Sequence, residues 1–99
     1  MNNYKEITAK EARETALQVN EKIIDDLKCA IMSKIQTARC NGEFYIQIKC
    51  EGKPFECLNR MYIGDSIVEW LEGLGYEIED KEDYKTSIMV INFGNAEDD

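Results

Sequence analysis

Apolar residues recur three or four positions apart along the first forty residues and at every second position just after them, which predicts a helix followed by a strand. Ala12, Ala16, Val19, Ile23 and Leu27 open the helical stripe, and Ile31, Ile35 and Ala38 carry it on. Thr8 and Glu11 have the spacing of a capping box, in which the threonine oxygen accepts from the Glu11 amide and the glutamate reaches back. The helix is therefore predicted to begin at Ala9. Gln18, Asn20 and Glu21 interrupt the stronger helix formers, leaving two arrangements: one long helix, or a short helix followed by a longer one. Asn41-Gly42 supplies a left-handed stop, and Lys34 and Arg39 put positive charge in the last turns, where it complements the helix dipole.

From Glu43 to Cys50 the pattern changes to strict alternation, with Phe44, Ile46, Ile48 and Cys50 on one side and Tyr45, Gln47 and Lys49 on the other. Glu51-Gly52-Lys53-Pro54 ends this strand, because proline cannot donate to a ladder. Phe55 to Ile63 has no clean period, and it reads equally as a second strand, a helical turn or a covering loop. Ser66 and Glu69 repeat the capping-box spacing, so a short helix carrying Ile67, Leu71 and Leu74 is expected after Gly64, with Gly75 as its C-terminal cap. Tyr76 and Ile78 then begin a strand, Asp80-Lys81-Glu82-Asp83 is expected to turn, and the apolar run Ser87 to Phe93 returns as a buried strand. The order predicts a single α+β domain over residues 1–99. A long N-terminal helix and a short second helix pack on a small, mainly antiparallel three-stranded sheet, with frayed ends at 1–6 and 94–99. So small a sheet has open edges, and a homodimer or a partner's strand is one way to complete it.

Charge adds what hydropathy does not show. Residues 1–42 carry a net +1 and residues 43–99 a net −9, within a chain of 99 residues and net charge −8. Glu77, Glu79, Asp80, Glu82 and Asp83 crowd into one stretch and make a negative field that repels nucleic acid and attracts basic protein surfaces. Those five residues are the candidate partner-binding site. Charged residues are 32% of the chain, yet 43% are hydrophobic, enough for one small core rather than a disordered chain.

Catalytic and cofactor chemistry is not signalled. The chain has no histidine, so Ser-His and Cys-His nucleophile pairs are excluded. The expectation is a non-enzymatic protein with no cofactor and no metal. Cys29, Cys40, Cys50 and Cys57 lack metal-ligand spacing and are expected to be free thiols, mostly buried. The glycines form no phosphate-binding fingerprint, and basic residues alternate with acidic ones along the first helix, which argues against direct nucleic-acid binding. No apolar run approaches the ~20 residues of a membrane span, and no secretion signal is evident, so a cytosolic protein without a membrane partner is expected.

Three stretches carry a resemblance: Ile7-Thr8-Ala9-Lys10-Glu11-Ala12-Arg13, Asn41-Gly42-Glu43-Phe44, and Trp70-Leu71-Glu72-Gly73-Leu74-Gly75-Tyr76-Glu77-Ile78. In them the chain resembles small accessory proteins of bacteriophages and prophages, including inhibitors of the anti-CRISPR type. The resemblance implies action in the host cytoplasm by stoichiometric binding to a host defence protein with a basic surface. Two other readings accompany it. One is a sponge for a nucleotide immune signal, built on groups such as Lys53, Arg60 and Tyr62; the other is a structural or assembly module of the virion.

Overall fold

A computed structural model of the chain describes residues 6–83 and 86–95, the side chain of Asp83 excepted. Its architecture is the α+β arrangement expected from the sequence. The elements are helix α1 (Ala9–Cys40), strand β1 (Tyr45–Lys49), a 3₁₀ helix (Phe55–Asn59), helix α2 (Met61–Gly73), and strands β2 (Glu77–Asp83) and β3 (Thr86–Asn92). The expected frayed ends fall mostly outside the described residues; of them, Gly94 and Asn95 form a turn in which the Gly94 amide donates to Asn92 Oδ1 at 2.8 Å.

α1 is one continuous helix of 32 residues, which settles the alternative left open by Gln18, Asn20 and Glu21. One half of the predicted capping box forms at its start, with the Glu11 amide donating to Thr8 Oγ1 at 3.2 Å. At its end Gly42 takes a φ of +78°, a conformation that glycine adopts without steric cost. At about 1.5 Å per residue α1 is roughly 48 Å long, more than twice the length of strands of five to seven residues. It therefore overshoots the body. Only Leu27, Ile31, Ile35 and Ala38 of α1 are buried, Ile23 and Ile24 are half-buried, and Val19 is 51% exposed. The projecting half stretches the molecule to 61 Å and raises the radius of gyration to 16.9 Å, against about 13 Å for a typical chain of this size.

The strands run in the order β1-β3-β2, all pairs antiparallel, so β3 is central and both other strands are edges. Strand pairing places Ile46, Ile91 and Ile78 in one row across the sheet and Ile48, Met89 and Asp80 in the next. The apolar members of these rows meet Leu27, Ile31 and Ile35 of α1 and Ile63, Ile67 and Leu71 of α2, with α1 lying over β1 and α2 over β2. β3 supplies the deepest part of the sheet because it is shielded on both flanks; Ile91 is fully buried on the helix side and Val90 is buried on the other.

Of the readings open for Phe55 to Ile63, the helical turn is the one found: the segment after Pro54 is a 3₁₀ helix that buries Leu58 and then runs into α2. Two details of the sequence reading are corrected. α2 begins at Met61, so Ser66 lies inside it, and the Ser66 hydroxyl donates to the Tyr62 carbonyl at 2.8 Å rather than capping the helix. The stripe Ile63-Ile67-Leu71 outweighs the capping-box spacing, because burying three large side chains is worth more than one cap. Lastly, Asp80, Lys81, Glu82 and Asp83 do not turn: β2 continues through them, each paired with a residue of β3.

The cysteines also divide differently from the expectation of mostly buried thiols. Cys50 is buried and Cys57 half-buried, but Cys29 and Cys40 are exposed on α1. The Cys50 amide donates to the Ser87 carbonyl at 2.9 Å, and the Cys50 carbonyl accepts from Asn59 Nδ2 at 2.8 Å, which ties the end of β1 to the 3₁₀ helix. A thiol-exchange time course of the native protein is expected to show Cys29 and Cys40 reacting at once and Cys50 reacting only as fast as the protein opens.

Candidate functional site

All the acids singled out in the sequence lie on β2, the edge strand opposite β1. Glu77, Glu79, Asp80 and Glu82 are exposed, and the side chain of Asp83 lies outside the described residues. Because successive strand residues point to opposite sides, the sheet splits the cluster. Glu77 and Glu79 share the open face with Lys81, whereas Asp80 and Glu82 stand on the helix side, both exposed. The acidic stretch thus forms an acidic edge, visible from both sides of the sheet.

The surroundings of the two halves differ. Across the open face Glu77 lies two strands from Tyr45, through Asn92; Glu79 is aligned with Val90 and Gln47, and Lys81 with Ile88 and Lys49. Asn95 Nδ2 lies 3.4 Å from a Glu77 carboxylate oxygen. On the helix side Asp80 and Glu82 border a shallow cleft with Cys50, Leu58, Ser87 and Met89. Burial pushes the Cys50 thiol above its ordinary value of 9.0, the negative charge of Asp80 pushes in the same direction, and a backbone hydrogen bond at Met89 opposes both. The folded state thus holds the Cys50 proton more tightly than the unfolded chain does. Its contribution to stability is full below pH 9.0 and is lost as the pH rises toward the higher folded value.

Backbone pairing shows what the β2 edge offers. Cys50 donates to Ser87 and Phe93 to Phe44, so Ser87, Met89, Ile91 and Phe93 direct their backbone groups toward β1, and the alternate residues of β3 direct theirs toward β2. The outward backbone groups of β2 are then those of Ile78, Asp80 and Glu82, each set among carboxylates. A strand pairing there must bring positive charge.

The groups suggested for a nucleotide are only partly assembled. Lys53 and Arg60 border one cleft between α1 and the 3₁₀ helix, but Asp26 and Glu56 border it too, and Tyr62 is not among its lining residues. The aromatics are spoken for or dispersed: Trp70 carries Lys28 Nζ 5.2 Å above its ring, and Tyr76 packs edge-on against Phe93 at 6.1 Å. Tyr45 and Tyr62 are exposed on different elements, and Tyr84 lies outside the described residues. Among the described residues no three acidic or cysteine side chains gather as a metal site, and no helix is long and apolar enough to cross a membrane.

Sequence reasoning expected open sheet edges without saying which strands form them; β1 is one. A groove of about 630 Å³ runs beside it, between Phe44, Tyr45, Ile46 and Gln47 on the strand side and Ser33, Lys34 and Thr37 on α1. Phe44 is 66% exposed at its mouth. The alternation Tyr45-Ile46-Gln47-Ile48-Lys49 marked a strand, but not that it would be an edge.

Comparison with protein-family models, with curated protein sequences and with solved structures finds no match to this chain.

Proposed function

We propose that this protein is a non-enzymatic inhibitor of a bacterial defence system, binding one defence protein stoichiometrically through the β2 edge. The observation that carries this reading is the row of exposed carboxylates on a free strand edge, Glu77, Glu79, Asp80 and Glu82, with outward backbone groups set among them. Carboxylates spaced along an extended strand match a surface that is basic because it accommodates phosphates, and they occupy it without offering a base sequence to be read. The sequence resemblance to phage accessory proteins is what favours a host defence protein among such targets, with the host cytoplasm as the proposed meeting place.

The test is a phage challenge of cells that express a nucleic-acid-targeting defence system, with the protein supplied in trans. The protein is expected to restore plaque formation, and the triple reversal Glu77→Lys, Glu79→Lys, Glu82→Lys is expected to abolish the effect. The purified complex should weaken by at least about tenfold on the same reversal, and further as salt is raised. Because all three positions are exposed, thermal unfolding of the variant should stay close to that of the parent. Restoration that survives the reversal, or binding indifferent to salt, sinks the reading.

A further inference from the structure

We propose that the free edge of β1 is a homodimer interface, in which β1 of a second copy pairs antiparallel about Ile46 to join two three-stranded sheets into one of six strands.

The two edges of the sheet are not equivalent. β2 is guarded: its residues Glu77-Ile78-Glu79-Asp80-Lys81-Glu82-Asp83 would bring carboxylates against carboxylates if it met its own copy, a common way of blocking edge-to-edge association. β1 has no such guard. It reads Tyr45-Ile46-Gln47-Ile48-Lys49, with a single charge at one end and no proline. Phe44 and Cys50 turn their backbone groups inward to β3, so by alternation Tyr45, Gln47 and Lys49 present theirs to the open side.

A second copy of β1 fits that pattern. With Ile46 on the two-fold axis, Tyr45 of each chain stands opposite Gln47 of the other, and these two residues exchange both backbone bonds because both face outward. On the helix side Phe44 then meets Ile48 of the second copy and Ile46 meets Ile46, which covers a phenylalanine that is 66% exposed in the single chain. Glu43, two residues before β1 and bordering the groove, comes level with Lys49 of the second copy, twice over. The neighbouring register, centred on Gln47, would instead set Glu43 against Glu51, so charge selects the first. The groove beside the edge is bordered on the α1 side by Ser33, Lys34 and Thr37.

Sedimentation equilibrium of the full chain over a range of concentrations tests the interface. The expected result is a monomer–dimer equilibrium whose dissociation constant rises at least about tenfold with Lys49→Glu and returns to within about threefold of the parent when Glu43→Lys is added. Gln47→Pro should abolish the dimer while leaving the monomer folded, because the amide it removes faces outward and contributes no ladder bond. Should that variant fail to fold, the charge exchange decides the matter alone. A chain that stays monomeric at every concentration overturns the proposal. So does a dimer unaffected by Lys49→Glu, which would place the contact elsewhere, for example on the projecting half of α1.

Discussion

Replacing Leu27 by alanine is expected to destabilise the protein by about 2–5 kcal/mol, while the same replacement at Val19, eight residues earlier on the same stripe, stays within about 0.5 kcal/mol. Leu27 is 0% exposed and lies in the cluster formed with Ile31, Ile48, Ile67 and Ile91. Truncating it removes buried methyl groups and leaves a cavity that neighbours on three elements must close. Val19 stands on the projecting half of α1, 51% exposed, and alanine there is also the better helix former. Against a total stability of roughly 5–15 kcal/mol the first change is large and the second is lost in the error. Urea unfolding of both variants, run at low protein concentration, checks the pair. Equal losses would mean that the projecting half is buried against something in solution.

That contrast also measures what could be read from the sequence. The apolar stripe along α1 is continuous from Ala12 to Ala38, and periodicity registers it without saying where the sheet stops. Burial begins at Leu27 because the body is only as long as strands of five to seven residues allow. The caps at Thr8 and Gly42 are local chemistry between residues a few positions apart, so they were legible and correctly placed. Ser66 and Glu69 carried the same local signal and it was overridden, because the choice of start for α2 depended on Ile63 reaching the core, a tertiary fact. The acidic segment failed as a turn for a related reason. Charge and low strand propensity argue for a loop at Asp80 to Asp83, but pairing with the strongly apolar β3 holds it extended.

The consequence for the candidate site is that composition located it and topology gave it its form. Five acids in seven residues mark the place on any reading. Only the strand order β1-β3-β2 makes that place an edge, and only the alternation of side chains divides Glu77 and Glu79 from Asp80 and Glu82. The same order leaves β1 as the second edge, with opposite properties: nearly uncharged, bordered by a groove and self-complementary. Under the two proposals, a permissive edge would carry self-association on one side while the guarded edge kept the acidic strand free for a different partner. The two proposals therefore fail separately. Charge reversal on β2 leaves the β1 dimer intact, and Lys49→Glu leaves the carboxylates of β2 in place.

Gly64→Ala is expected to destabilise the protein by about 1–3 kcal/mol, although it replaces the weakest common helix former by the strongest in the interior of α2. Propensity alone predicts a gain of about 1 kcal/mol at such a site. The packing predicts the reverse, since a Cβ added at Gly64 would sit 2.6 Å from the carbonyl oxygen of Leu58, a contact that real side chains do not make. That carbonyl belongs to the 3₁₀ helix, whose position is fixed by the buried Leu58 side chain and by the bond from Asn59 Nδ2 to the Cys50 carbonyl. The neighbour is therefore backbone held from two directions rather than the yielding end of a side chain. Relief requires α2 to move away from the 3₁₀ helix, which disturbs Ile63 and Ile67, both buried to within 1%. Gly73→Ala provides the control: it lies at the C-terminal end of the same helix with no atom within 4 Å of the added Cβ, so its effect should be neutral or slightly stabilising. Thermal and urea unfolding of the two variants separate the cases. If Gly64→Ala proved as harmless as Gly73→Ala, the close approach of the 3₁₀ helix to α2, and with it the placing of the whole 55–63 segment, would be wrong.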